Sequence, residues 1–141
     1  MIYKKVAKKK EERSTIDIRC WNMGDDWDSS EESKSIGVIH AAIDMGVNLF
    51  DVAPVYGWGN SEKVLGKALK QDGLRNKVLI ASKAGLTWDK PHHTANNLSK
   101  ESLLKEIDDS LMRLQTDHID IYQMHWPDPN VPLEETAEAL N

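Results

Sequence analysis

Residues 78–83, Val-Leu-Ile-Ala-Ser-Lys, are too continuously apolar to expose either face of a strand to water. A strand of that kind belongs in a parallel sheet covered by helices. The rest of the chain repeats the arrangement, with strand-like runs alternating with segments of helical periodicity. Residues 16–23 predict a first strand, although Asp17 and Arg19 interrupt its apolar character. A turn-rich stretch at 24–30 follows, then a helix over 31–45 with Ile36, Ile39 and Ile43 on one face and Gly46 at its end. Residues 47–52 predict the second strand, and 61–70 a helix buried through Val64, Leu65, Ala68 and Leu69. After the strand at 78–83, residues 85–97 read as a polar loop. A helix over 99–114 carries Leu103, Leu104, Ile107, Leu111 and Leu114 as its apolar stripe. Residues 119–125 predict the fourth strand, and Pro132 opens a fourth helix, where its missing N–H costs nothing.

Four strand–helix units define an α/β chain with a parallel sheet. An open doubly wound sheet and a closed barrel both satisfy the pattern. The first strand–helix junction has Gly24 alone among aspartates, without the Gly-rich turn that cradles a pyrophosphate in the open dinucleotide-binding sheet. That leans against a dinucleotide-binding open sheet.

Charge and cysteine content narrow the function classes. With 18 basic and 23 acidic side chains the net charge is −5, which gives no broad field for nucleic acid or anionic lipid. The basic run Lys8-Lys9-Lys10 is answered at once by Glu11 and Glu12. Residues 1–15 are therefore expected to be a solvated tail, and residues 16–141 the folded segment. Cys20 is the single cysteine, so no internal disulfide forms, and a reducing, cytoplasmic location is expected. Beside Trp21 it reads as a small buried hydrophobe. No signal-peptide pattern and no run of about 20 apolar residues points to export or to a membrane span.

The reactive residue types gather at strand ends. Asp51, Lys83 and His125 close the second, third and fourth strands, and Tyr56 lies in the loop after the second. In a barrel these positions share the face where active sites are built. Parity agrees, since Leu49 with Asp51, Ala81 with Lys83, and Gln123 with His125 each point one way. Trp21, Trp27, Trp58, Trp88 and Trp126 fall on the same side, which suits an aromatic-lined pocket. A carbonyl accepting hydride needs a proton at oxygen. A tyrosine beside an ammonium can supply it, a carboxylate fixes the ammonium, and a histidine orients the carbonyl. The same residues also allow a plain Asp–Lys salt bridge with a packed tyrosine, and spacing alone leaves both open.

At these residues the chain resembles the aldo-keto reductase family, above all its bacterial general-stress and potassium-channel β-subunit-like members. The resemblance is carried by GVNLFDVAPVYGWGNSEKVLGKAL (46–69), LIASKAGLTWD (79–89) and SLMRLQTDHIDIYQMHWPDPNVPLEETAEAL (110–140). It implies a (β/α)₈ barrel, present here as its first four β/α units. It also implies an oxidoreductase that passes a hydride from NADPH to an aldehyde or ketone. On that resemblance Tyr56 is the proton donor, Lys83 and Asp51 tune it, and His125 orients the substrate. Cys20, Trp21 and Asp51 border the cofactor, and Trp21, Trp58, Trp88 and Trp126 border the substrate. No metal is implied, and the partner is a small carbonyl compound.

The sequence departs from the family pattern in three ways. Residues 6–14 lack the glycines of the family's opening hairpin, and Asp17 and Arg19 stand where its first strand typically carries glycines. The sequence also ends in the fourth helix, before the family's later cofactor contacts. These features raise an alternative, a non-catalytic binding or regulatory module of the same fold. They also lead to two expectations for the isolated chain: weak NADPH binding without carbonyl reduction, and self-association through exposed sheet edges. A metal-dependent sugar isomerase would need a constellation of ligands that His92 and His93 do not supply.

Overall fold

The computed structural model describes residues 1–6, 12–23, 29–90 and 93–141. Its centre is a four-stranded parallel sheet of β3 (Ile18–Arg19), β4 (Leu49–Asp51), β5 (Leu79–Ala84) and β8 (Ile121–Met124), side by side in that order. Helices α1 (Ser29–Asp44), α2 (Asn60–Lys70) and α3 (Lys100–Leu114) connect successive strands, and α4 (Leu133–Ala139) follows the last. The order of strands in space is their order in sequence. Such a sheet curls in one direction, with helices outside, as the first half of a (β/α)₈ barrel.

Strand alternation decides what each face buries. Phe50, Val52 and Ile80 point outward and pack with Ile39, Leu65, Leu69 and Leu114 in the main core between sheet and helices. Leu49, Leu79 and Ala81 point inward and form a smaller cluster with Val6 and Ile121. Helix α1 begins two residues earlier than its apolar periodicity indicated. Ser99 caps α3, its hydroxyl accepting from the Ser102 amide at 3.4 Å. Gln115 ends α3 in the left-handed conformation.

Three expectations are corrected. Part of the expected tail, residues 3–5 and 12–14, forms an antiparallel pair, β1 (Tyr3–Lys5) with β2 (Glu12–Ser14). Asn48 clamps it, accepting from the Ser14 amide at 2.6 Å and donating to the Glu12 carbonyl at 2.8 Å. Tyr3 donates to the Gly46 carbonyl at 2.8 Å. These partners sit more than 30 residues away and leave no local signature. Lys8, Lys9, Lys10 and Glu11 lie outside the described residues.

The first strand is only two residues long, because the chain enters a turn at Trp21 and Asn22. The supposed polar loop at 85–97 contains a second hairpin, β6 (Leu86–Lys90) with β7 (His93–Asn96). Its inner end is apolar at Leu86, while its polar outer residues face solvent, so its composition mimicked a loop. No helix among the described residues is long and apolar enough to cross a membrane.

Candidate active site

The register of the sheet brings the strand ends to one mouth. Arg19 pairs with Asp51, Asp51 with Ala81, and Lys83 with Gln123. The His125 amide then donates to the Ala84 carbonyl at 2.9 Å, extending the last strand by hydrogen bonding. Asp51 shares the inward parity of Leu49, and Lys83 that of Leu79 and Ala81, so both polar side chains stand at the top of an inward column.

Lys83 is the hub. Its Nζ donates to Asp51 Oδ1 at 2.7 Å and to the Val52 carbonyl at 3.0 Å. Both partners of this ion pair are largely buried, with side chains 13% and 18% exposed. The same Nζ lies 4.9 Å from the centroid of the Tyr56 ring. The Tyr56 and His125 rings meet edge to face, with centroids 5.8 Å apart at 84°. The Tyr56 hydroxyl makes no hydrogen bond to a described residue, which leaves its proton available to a ligand. Burial and the neighbouring Lys83 ammonium hold the His125 imidazole below its usual value of 6.5 despite the opposing pull of Asp51. His125 therefore faces the cleft uncharged at neutral pH.

Tyr56 is delivered by a tight turn. After β4 the chain enters a short 3-10 segment, Tyr56–Gly59, in which Gly57, Trp58 and Gly59 all have positive φ. At Gly59 a Cβ would come within 2.9 Å of Arg113 Cδ, so glycine serves both the backbone and the packing. Trp58 carries the strain of that conformation without glycine's freedom. Above the sheet a cleft of about 480 Å³ is lined by Arg19, Trp21, Tyr56, Trp58, His125 and Trp126, among others.

The profile of the aldo/keto reductase family matches residues 20–141. The chain belongs to the aldo/keto reductase family. It is 44% identical over 141 residues to the aldo-keto reductase YhdN of Bacillus subtilis, covering 99% of this chain and 42% of that protein. It is 34% identical over 142 residues to a probable voltage-gated potassium channel subunit beta of Arabidopsis thaliana, covering 100% of this chain and 42% of that one. Among solved structures, the glycerol dehydrogenase of Gluconobacter oxydans superposes with a TM-score of 0.90 at 34% identity, over 98% of this chain and 43% of that one. The chain thus spans less than half the length of these relatives, and its four β/α units correspond to the first half of their barrel.

Aldo/keto reductases generally use NAD(P)H. The reacting end of such a cofactor fits the residues present here: an unbonded phenol and an uncharged imidazole line an aromatic-walled cleft, while the Lys83 ammonium and Asp51 lie behind the phenol ring and do not line it. Asp51 also reaches the first strand, its carbonyl accepting from the Cys20 amide at 2.8 Å.

Not every residue assigned from sequence reaches the cleft. Trp21, Trp58 and Trp126 line it, and Trp27 lies outside the described residues. Trp88 does not line this cleft. It meets Trp58 edge-on at 6.2 Å and borders a second cleft of about 280 Å³ with Glu106, Asp109 and Arg113. The Cys20 side chain packs into the helix-facing core, fully buried, and burial beside Asp51 pushes its thiol up to about 12. Only its backbone is placed toward the site.

A buried polar cluster escaped the sequence reading. Glu62 on α2 is fully buried, accepting from Arg113 Nε at 2.6 Å and from Ser82 Oγ at 2.9 Å. Arg113 also donates to Ser110 Oγ at 3.2 Å, and its guanidinium carbon lies 5.9 Å from the Trp88 ring. Nearby, Glu106 accepts from the Gly85 amide at 3.1 Å and from Ser102 Oγ at 3.1 Å. The buried face of α3 is thus Leu103, Glu106, Ser110 and Leu114, while Leu104, expected in the apolar stripe, is exposed. The spacing of Glu106 and Ser110 with the flanking leucines was a readable signal. Hydrophobicity alone concealed it.

Proposed function

We propose that this chain carries the carbonyl-reducing half of an NADPH-dependent reductase acting on a small aldehyde or ketone. The Lys83 ammonium carries the reading: Asp51 fixes it at 2.7 Å, it lies 4.9 Å from the Tyr56 ring, and the His125 ring meets that ring edge to face. When bound, the cofactor supplies the hydride to the carbonyl carbon. As the carbonyl π electrons move to oxygen, Tyr56 gives its hydroxyl proton to that oxygen. The phenolate left behind sits beside the Lys83 ammonium, which stabilises charge that develops only during the reaction. Asp51 and the Val52 carbonyl hold the ammonium so that it need not reorganise. His125, uncharged, offers a ring N–H to the same oxygen and fixes its approach. Trp21, Trp58 and Trp126 form aromatic walls of the cleft beside Tyr56 and His125. One cysteine and membership of an NAD(P)H-using family support a cytoplasmic location for the protein.

The test is Tyr56→Phe in the protein carrying the rest of its barrel, from its own chain or supplied as a separate segment. A positioned general acid contributes about 10²–10⁴-fold. Aldehyde reduction is expected to fall by that much while NADPH binding, followed by cofactor fluorescence, is unchanged. Turnover within threefold of the parent would reject Tyr56 as the acid.

A second reading rests on one observation. β3 and β8 are the edges of the described sheet, each with an unpaired side. Such edges favour strand addition, either by a complementary half or by a second copy. On this reading the 141-residue chain alone is a binding or self-associating module, and sedimentation distinguishes it from a monomeric reductase fragment.

A further inference from the structure

The cleft holds a cation that the reduction chemistry does not use. Arg19 ends β3 directly opposite Asp51 and lines the same cleft as Tyr56, Trp58 and His125. Its side chain is 69% exposed, and among the described residues its one ion-pair partner is Asp51, at 3.7 Å. That contact runs to Oδ1, the oxygen that already accepts from Lys83 at 2.7 Å. A single carboxylate therefore faces two cations, and the nearer, buried one holds it. Among the described residues, the charged side chains at this mouth, Arg19, Lys83 and Asp51, leave one positive charge in surplus.

The chemistry of the surplus is specific. A guanidinium presents five N–H donors in a planar fork that matches the two oxygens of a carboxylate. At 3.7 Å the Arg19 Nε makes no hydrogen bond with Asp51, so among the described residues the fork is unspent. It is reached from the same cleft as the Tyr56 ring, which Trp21 and Trp126 also line. A ligand that meets both groups carries a carbonyl and an oxyanion.

We propose that Arg19 makes this cleft selective for carbonyl compounds bearing a carboxylate, such as 2-oxo acids and aldehyde acids. The guanidinium receives the carboxylate while the carbonyl faces Tyr56 and His125. The carbonyl half rests on the reductase reading, whereas the anion half rests on Arg19 alone. Phosphate oxygens offer the same chemistry as a carboxylate, so the test separates the two.

The chain is titrated at low ionic strength with pyruvate, with its neutral methyl ester, and with inorganic pyrophosphate. Fluorescence of the cleft tryptophans is the readout. Pyruvate is expected to bind about tenfold tighter than the ester, a difference of about 1.4 kcal/mol. The preference shrinks in salt as an exposed ion pair is screened. It disappears in Arg19→Gln and survives in part in Arg19→Lys, with the far-ultraviolet dichroism of both unchanged because the side chain is largely exposed. Equal binding of acid and ester, or an acid preference that persists in Arg19→Gln, overturns the proposal. Binding of pyrophosphate through Arg19 without pyruvate binding also overturns it. Tyr56→Phe keeps the acid preference if Arg19 sets it. A failed reductase reading instead shows as retained turnover in Tyr56→Phe, with the charge preference judged separately.

Discussion

Glu62→Gln replaces a fully buried carboxylate by an amide of the same shape, and its cost can be worked from its partners. With the amide oxygen turned to Arg113 it still accepts from Nε, and the amide NH2 then faces Ser82 Oγ, whose hydroxyl can rotate to accept from it. What is lost is the charge opposite a guanidinium whose side chain is only 18% exposed. Breaking a buried pair by removing one partner costs about 3–5 kcal/mol, because the other charge is left uncompensated. The retained hydrogen bonds and the partial exposure of Arg113 put this variant at the low end, about 3 kcal/mol. Against a total stability of about 5–15 kcal/mol that is a large fraction. At roughly 2–4 °C per kcal/mol for a chain of this size, Tm falls by about 6–12 °C. Arg113→Met leaves the converse charge, a carboxylate in a site with no exposure, and should cost at least as much. The double variant Glu62→Gln with Arg113→Met removes both charges and is expected to cost less than the sum of the singles by about 2 kcal/mol or more, on the order of a buried pair's coupling. Urea unfolding followed by tryptophan fluorescence and far-ultraviolet dichroism measures each corner. Loss of less than 1 kcal/mol in Glu62→Gln, or simple additivity in the double variant, refutes the reasoning.

Two further outcomes are expected. The His125 ring should titrate below 6.5 by proton NMR, because burial and Lys83 disfavour its cation. Between its folded value and 6.5 the unfolded chain binds the extra proton, so this residue's contribution to stability rises with pH across that window and is lost as pH falls through it. A midpoint at or above 6.5 contradicts this. Gly66→Ala should destabilise despite alanine's better helix propensity, because the added Cβ would lie 2.6 Å from the Leu114 carbonyl oxygen and 2.8 Å from that of Arg113. These are backbone atoms, so α2 and α3 must separate, at about 1–3 kcal/mol. Thermal unfolding decides it, and a rise in Tm shows that the helices have slack.

Periodicity and parity carried the sequence reading as far as they reach. The continuous apolar run at 78–83 requires a strand covered on both faces, and it forms β5 with outward Ile80 in one core and inward Leu79 and Ala81 in another. Strand-end placement put Asp51, Lys83 and His125 together because alternation along a strand is a local property. The same rule, applied to Cys20, would have turned its side chain away from the cleft along with Ile18, its neighbour two residues back. Assigning it to the cofactor side followed from family position instead. The tryptophans show the opposite limit. Their loops fall on one side of the sheet, but whether Trp88 faces the cleft depends on the β6–β7 hairpin and on Arg113 beneath it.

By itself the sequence determined the order of strands and helices, which strand positions face inward, and the family to which those motifs belong. All of these are written in spacings of a few residues, where side-chain alternation and helical repeat act directly. The tertiary structure alone decided that residues 3–5 and 12–14 pair beneath the sheet, that Glu62 and Arg113 meet 51 positions apart, and that Arg19 is left with half a partner. Each of those outcomes depends on a group brought near by the closing sheet. A charged side chain reads the same in sequence whether the fold buries its partner beside it, spends that partner on another cation, or leaves it in water.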